Sequence, residues 1–527
     1  MADAEYMHVT KKQCYQTTRT GIQSTIMEHL SRGNSRFVWV QGSPGTGKTA
    51  IAKSVASRLA EERRLAASFF WDKTGARINA DSIEQFPSTL ASQLAIFSRD
   101  YETLLVNRLL DRSSRNILRV PLEERMNSLI VQPMNSISQA FSSEEGYCVV
   151  VLDGLDECGS RSALAKLMGL VLILDNLPPN FTILVSARPE PEIRAAFHPF
   201  HGISCVYTDE ISQDDTGYTI RVMVERGLDE IRQLHHSSWV PSENTLRDFV
   251  GTCRELPVLA EIRVREVGIL ASSGHTLRDA FRIVKDDGAM SKDLNDDYLR
   301  ILRRAYRRVN PAPHSTRTGG STMPNTALTA SPDVLRTYHE AVGTVIAARR
   351  PLSVQTISNI LAIPEENIRA VLDPIGSIIS TPISDDDPVH FYHATAEEFL
   401  TGLPQGDEVD QAFFFSDVKG TFLAFPLLNV LNNSLKRNMA NMVDPTLLEY
   451  GERTRLDKVP KHVSYAAEHW ATHLDLSSAS EELWKELRLF LTTKLLFWIE
   501  LSMDHGSALL TVLEQEKVSS NSIEMIL

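Results

Sequence analysis

The stretch GSPGTGKT, residues 42–49, decides the reading of this chain. It fits the pattern G-x-x-x-x-G-K-[ST], and each residue type in it has a chemical reason. Gly42, Gly45 and Gly47 let backbone N–H groups approach phosphate oxygens. Ser43, Pro44 and Thr46 complete the loop. The helix opening at Lys48, Thr49 and Ala50 points its positive N-terminus at the same oxygens. Lys48 is placed to reach β- and γ-phosphates, and the Thr49 hydroxyl is a magnesium ligand by type. The apolar run FVWVQ (37–41) precedes the loop and a helical pattern over 50–62 follows it. Strand, glycine loop and helix therefore occur in the order that phosphate binding requires.

Further apolar runs lie on either side: AASFFW (66–71), CVVVL (148–152), FTILVS (181–186) and ISCVY (203–207). None alternates cleanly between apolar and polar residues, as expected of strands buried on both faces of a parallel sheet. Helical patterns separate them, so this region reads as repeated βαβ units.

Two of these strands end in candidate catalytic groups. CVVVLDGLDEC (148–158) places Asp153 at a strand end as the second magnesium ligand opposite Thr49. Asp156 and Glu157 follow. Glu157 is the better placed to polarise an attacking water, with Asp156 supporting the metal shell. The alternative is a strand that simply ends in an acidic turn. FTILVSARPE (181–190) would deliver Arg188 to a γ-phosphate, where it senses nucleotide or stabilises developing charge. The alternative there is an ordinary surface arginine.

Length and composition frame these motifs. At ~100–200 residues per domain, 527 residues imply three or four folded units. Lys and Arg total 54 and Asp and Glu 67, a net charge of −13, which argues against a dedicated nucleic-acid binder. The chain is 43% hydrophobic and 23% charged, ordinary for a globular protein. The five cysteines (14, 148, 158, 205, 253) are odd in number and lack metal-ligand spacing, which points to a reducing compartment. The longest apolar run, LVLIL (170–174), is far below the ~18 residues of a bilayer span. A cytoplasmic location is expected.

Residues 1–35 read as a lead-in with a helix near 22–30, 36–210 as the α/β core, and 211–309 as a helical domain. The Pro-, Ser-, Thr- and Gly-rich stretch 310–332 reads as a linker. Residues 333–403 give three helices (334–349, 354–361, 365–375) and two short strands (378–382, 389–392), the order of a winged helix. Residues 404–527 read as helical, and no repeat of 30–45 residues is visible.

The loop GSPGTGKT, the cluster DGLDE and the strand ending in SARP resemble the NACHT group of STAND P-loop NTPases. FFWDKTGARINADSIEQFPSTLASQLA (69–95), PLSVQTISNILAIPEENIRAVL (351–372), HATAEEFL (393–400) and YAAEHWATHL (465–474) are similar to its fungal, nephrocystin-like branch. The resemblance implies a five-stranded parallel sheet in the order 5-1-4-3-2, followed by helical, winged-helix and C-terminal helical domains. It implies ATP or GTP with Mg2+, a diphosphate product, slow hydrolysis, protein partners and nucleotide-driven self-assembly in cell-death or innate-immunity-like signalling. It places Thr18 and Arg19 near the base. It also places Pro257 of ELPVLA (255–260) against the base, with Glu255 where glycine is usual, and His393 on the β-phosphate. Otherwise Pro257 reads as a helix-breaking proline and His393 as a core histidine. Such proteins carry an effector segment before the core and sensor repeats after it, so a short, partner-dependent or incomplete form is expected.

Three features stand apart. YLRILRRAYRR (298–308) lines up Arg300, Arg303, Arg304, Arg307 and Arg308, read as a solvated helix face rather than a nucleic-acid stripe. SDDDP (384–388) puts negative charge where a wing would meet DNA, so DNA is not expected as a partner. His469 and His473 lack a third ligand and read as packing residues.

Overall fold

A computed structural model describes residues 13–15, 17–32, 35–72, 82–110, 120–138, 146–198, 203–210, 213–308, 328–329, 331–384, 386–439, 459–474 and 480–502. Most of the expected linker 310–332 lies outside them. The chain divides into two compact units, Met1–Asp297 with Phe391–Ala396, and Tyr298–His390 with Glu397–Leu527.

The first unit is built on a five-stranded sheet: β1 (Phe37–Gln41), β2 (Leu65–Phe70), β3 (Cys148–Asp153), β4 (Phe181–Ala187) and β5 (Ile203–Tyr207). The order across it is β2-β3-β4-β1-β5, which is 5-1-4-3-2 read from the other edge. Every pairing is parallel. Successive residues of β1, β3 and β4 feed opposite cores. Phe37, Trp39, Val150, Leu152, Ile183 and Val185 pack on one face. Val38, Val40, Val149, Val151 and Leu184 pack on the other with helices α1 (Thr20–Ser31) and α2 (Lys48–Glu61). Both faces of β1, β3 and β4 are buried, which is why these strand sequences show no polar alternation.

The register fixes where the strands end. Gln41 pairs with Ala187 and with Tyr207, and Asp153 pairs with Ser186. The carboxyl ends of β1, β3, β4 and β5 therefore share one edge, the edge where ligands bind in open α/β sheets. Helices Gln213–Leu234, Glu243–Thr252, Pro257–Ser272 and Leu277–Met290 follow, around a core that includes Phe249, Leu259 and Phe281. Within it Arg263 and Asp297, both fully buried, pair at 2.9 Å.

In the second unit, helices Pro332–Ala347, Val354–Leu361 and Glu365–Leu372 precede the short strand Ile379–Ser380, and a second short strand, His390–Phe391, follows along the chain. The arginine row corrects the sequence reading. Arg304 is exposed, but Arg303, 40% exposed, and Arg307, 15% exposed, each reach the fully buried Asp410 at 2.6 Å. A buried carboxylate needs cationic partners, and Asp410, more than 100 residues along the chain, was invisible to a helical-wheel reading. His473 is buried as a packing residue, between Tyr465 Oη at 3.0 Å and the Lys419 carbonyl at 2.9 Å.

Candidate nucleotide site

The glycine loop begins one residue past β1. Gly45 has φ +78°, and a Cβ there would lie 2.4 Å from Val258 Cγ1. Only glycine fits, because both the left-handed backbone and the close approach of the Pro257–Ser272 helix exclude a side chain. Gly42 is constrained by contact alone. Its Cβ would fall 1.8 Å from Thr208 Oγ1.

Lys48 opens α2 and folds back over the loop. Its Nζ donates to the carbonyls of Gly42 and Ser43, each at 2.9 Å. Burial pushes the amine below its ordinary value; Asp156, Asp153 and Glu157 oppose that shift and Arg188 adds to it. All four groups act electrostatically on Lys48, although with it they come from three segments. The lysine charge is the balance against three carboxylates and one guanidinium.

Asp153 is fully buried at the end of β3. Asp156, in the turn that follows, holds the first residue beyond β4. Its Oδ1 accepts the Arg188 N–H at 3.1 Å and its Oδ2 meets Arg188 Nε at 3.1 Å. The Arg188 side chain is 19% exposed and that of Asp156 only 7%, so the pair is largely desolvated. Sequence reasoning gave these two residues separate tasks; the structure joins them. Among the described residues no three His, Cys, Asp or Glu side chains gather as a metal centre. Mg2+ sites of this chemistry need only one or two protein oxygens beside phosphate, and Thr49 and Asp153 supply hard oxygens of that kind.

Arg19 precedes α1 in a left-handed conformation (φ 58°) and is 3% exposed. Among the described residues its Nη1 has no hydrogen-bond partner, and burial lowers the guanidinium from its ordinary value. Thr18, also buried, donates to the Tyr15 carbonyl at 2.7 Å. Pro257 is the first residue of its helix, preceded by Arg254 and Glu255 at φ 49° and 58°. Glu255 therefore adopts the conformation that glycine would adopt more easily. Its neighbour Val258 is the residue that meets Gly45. His393 Nε2 lies 3.0 Å from Glu261 Oε2, on the Pro257–Ser272 helix. Beside it the Arg265 guanidinium stacks 3.4 Å from the centre of the Tyr392 ring.

Sequence reasoning missed Thr208 and Asp209. They follow β5 directly, and the Thr208–Glu210 turn lies against the glycine loop. The polar triplet TDE at the end of an apolar strand was the only available signal.

The family described as nephrocystin 3, N-terminal, matches residues 18–188, from the buried Thr18 to Arg188. No curated protein matches the chain. Solved structures do. The Walker-type ATPase PABY2304 of Pyrococcus abyssi is 14% identical, covering 74% of this chain and 98% of its own, with a TM-score of 0.33. The STAND protein PH0952 of Pyrococcus horikoshii, which has a tetratricopeptide repeat sensor, is 12% identical with a TM-score of 0.35; the match covers 99% of this chain and 66% of that one. Drosophila ORC bound to DNA is 12% identical, covering 75% of this chain and 89% of its own, with a TM-score of 0.30. Sheet order, glycine loop and acidic strand end together define a P-loop NTPase fold. No described helix is long and apolar enough to cross a membrane.

Proposed function

We propose that the chain is a nucleotide-dependent molecular switch of the NACHT/STAND class that binds ATP or GTP and hydrolyses it slowly. The observation that supports this most is the common edge at which β1, β3 and β4 end, with Lys48 folded over the glycine loop, Asp153 buried at the end of β3 and Arg188 held by Asp156. Lys48 leaves the loop carbonyls to bind the β- and γ-phosphates. Thr49 and Asp153 would hold Mg2+, which neutralises phosphate charge when bound. Glu157 orients the attacking water and accepts its proton. Arg188 meets the developing charge, with Asp156 fixing its direction. Arg19 and Pro257 contact the base, and His393 holds the diphosphate state through the β-phosphate. The signalling setting proposed is fungal, cytoplasmic and innate-immunity-like, with protein partners, self-assembly in the triphosphate state and no DNA.

A second reading is a nucleotide-dependent scaffold with negligible hydrolysis. The engagement of Arg188 by Asp156 favours it, since that guanidinium is already committed. Two variants test both readings. Lys48→Ala removes the charge facing three carboxylates, and triphosphate affinity should fall by more than about a hundredfold, from charged hydrogen bonds of ~1.5–3 kcal/mol each. Unchanged calorimetric binding would sink the nucleotide reading. Glu157→Gln should bind normally and release less phosphate. If wild type releases no more magnesium-dependent phosphate than this variant, the scaffold reading holds.

A further inference from the structure

The peptide group joining Gly42 to Ser43 is gripped at both ends. Its carbonyl accepts from Lys48 Nζ at 2.9 Å. Its N–H donates to Asp209 Oδ1 and Oδ2, both at 3.0 Å. The Ser43 hydroxyl adds a third bond to Oδ2 at 3.2 Å. One planar dipole therefore lies between an ammonium and a carboxylate, each at the end that attracts it. Thr208 completes the grip. Its Oγ1 lies 2.8 Å from Thr46 Oγ1, and Thr46 in turn donates to the Ser43 carbonyl at 2.9 Å. Thr208 also occupies the space above Gly42 that any Cβ would need.

We infer that Asp209 is a positioning residue for phosphate binding: it fixes the Gly42–Ser43 peptide so that the loop keeps its shape when Lys48 turns to the nucleotide. This rests on the nucleotide-binding reading above. In the structure two opposite charges hold the peptide. Once Lys48 engages phosphate, the carbonyl end is released and Asp209 alone resists rotation of the peptide. Without Asp209, ordering the loop must be met from binding energy, so affinity falls. Asp209 itself is exposed, and the core does not depend on it.

The test is calorimetry on the full chain with ATP, GTP and inorganic tripolyphosphate, using Asp209→Ala, Asp209→Asn and Lys48→Ala. Asp209→Ala should weaken nucleotide and tripolyphosphate alike by about tenfold, the size expected for charge-assisted bonds at an exposed position. The melting temperature without ligand should not move. Asp209→Asn keeps an acceptor for the Ser43 N–H and should recover most of the affinity. Unchanged binding in Asp209→Ala, with Lys48→Ala inactive, overturns this inference and leaves the nucleotide reading standing. A lowered ligand-free melting temperature that Asp209→Asn does not rescue makes Asp209 merely structural and also overturns it. Absence of binding by the wild type overturns both.

Discussion

The Asp156–Arg188 pair offers the sharpest test of how the site is held. Asp156 joins the turn after β3 to the first residue after β4 through one backbone and one guanidinium bond, both at 3.1 Å. Removing one partner of a buried pair costs ~3–5 kcal/mol, because a charge is left uncompensated. Arg188 is 19% exposed and regains some water, so about 2–3 kcal/mol is expected for Asp156→Ala. Asp156→Asn retains an acceptor for the Arg188 N–H and should cost less. Arg188→Ala leaves the backbone bond in place, and the double variant should show a coupling energy of about 1–2 kcal/mol, within the range for residues in contact. Trp39 and Trp71, both buried in this unit, provide fluorescence signals for urea unfolding. A coupling below about 0.5 kcal/mol would refute the argument, since independent residues deviate from additivity by no more than that.

Burial lowers the His473 imidazole to about 4 from an ordinary 6.5. Because the folded state binds this proton less readily, its contribution to stability is complete above pH 6.5 and is lost as pH falls towards 4. At 1.36 kcal/mol per unit, the loss approaches about 3 kcal/mol. His473→Gln should flatten the melting-temperature profile across that window, and a profile with the wild-type slope would contradict the assignment. His393→Leu tests whether this ring contacts phosphate: loss of one charge-assisted bond of ~1.5–3 kcal/mol should speed diphosphate release roughly tenfold or more. If only the ligand-free melting temperature changes, its bond to Glu261 is purely structural.

Much of the site was legible because its parts are local. The strand, glycine loop and helix start within 37–49 are consecutive, and each obeys a short-range rule. The buried strands announced themselves because burial on both faces removes polar residues wherever the chain enters the sheet. Sheet order came from resemblance, not from spacing. Local pattern could not show which residues past the strand ends would meet. Asp209 and Ser43 are 166 residues apart, and Asp156 and Arg188 are 32 apart; only the parallel register, ending four strands on one edge, brings each pair together. The same reason explains Asp410. Read as one helix, the 298–308 row is amphipathic and looks solvated, although the helix ends at Tyr306 and Arg307 opens a short strand. Its partner is a carboxylate more than 100 residues further on, whose burial only the packed unit creates. Sequence therefore determined the elements and the chemistry each carries, because those depend on neighbours along the chain. The tertiary structure decided which charges share a site, because that depends on register and burial, which arise only when distant segments pack.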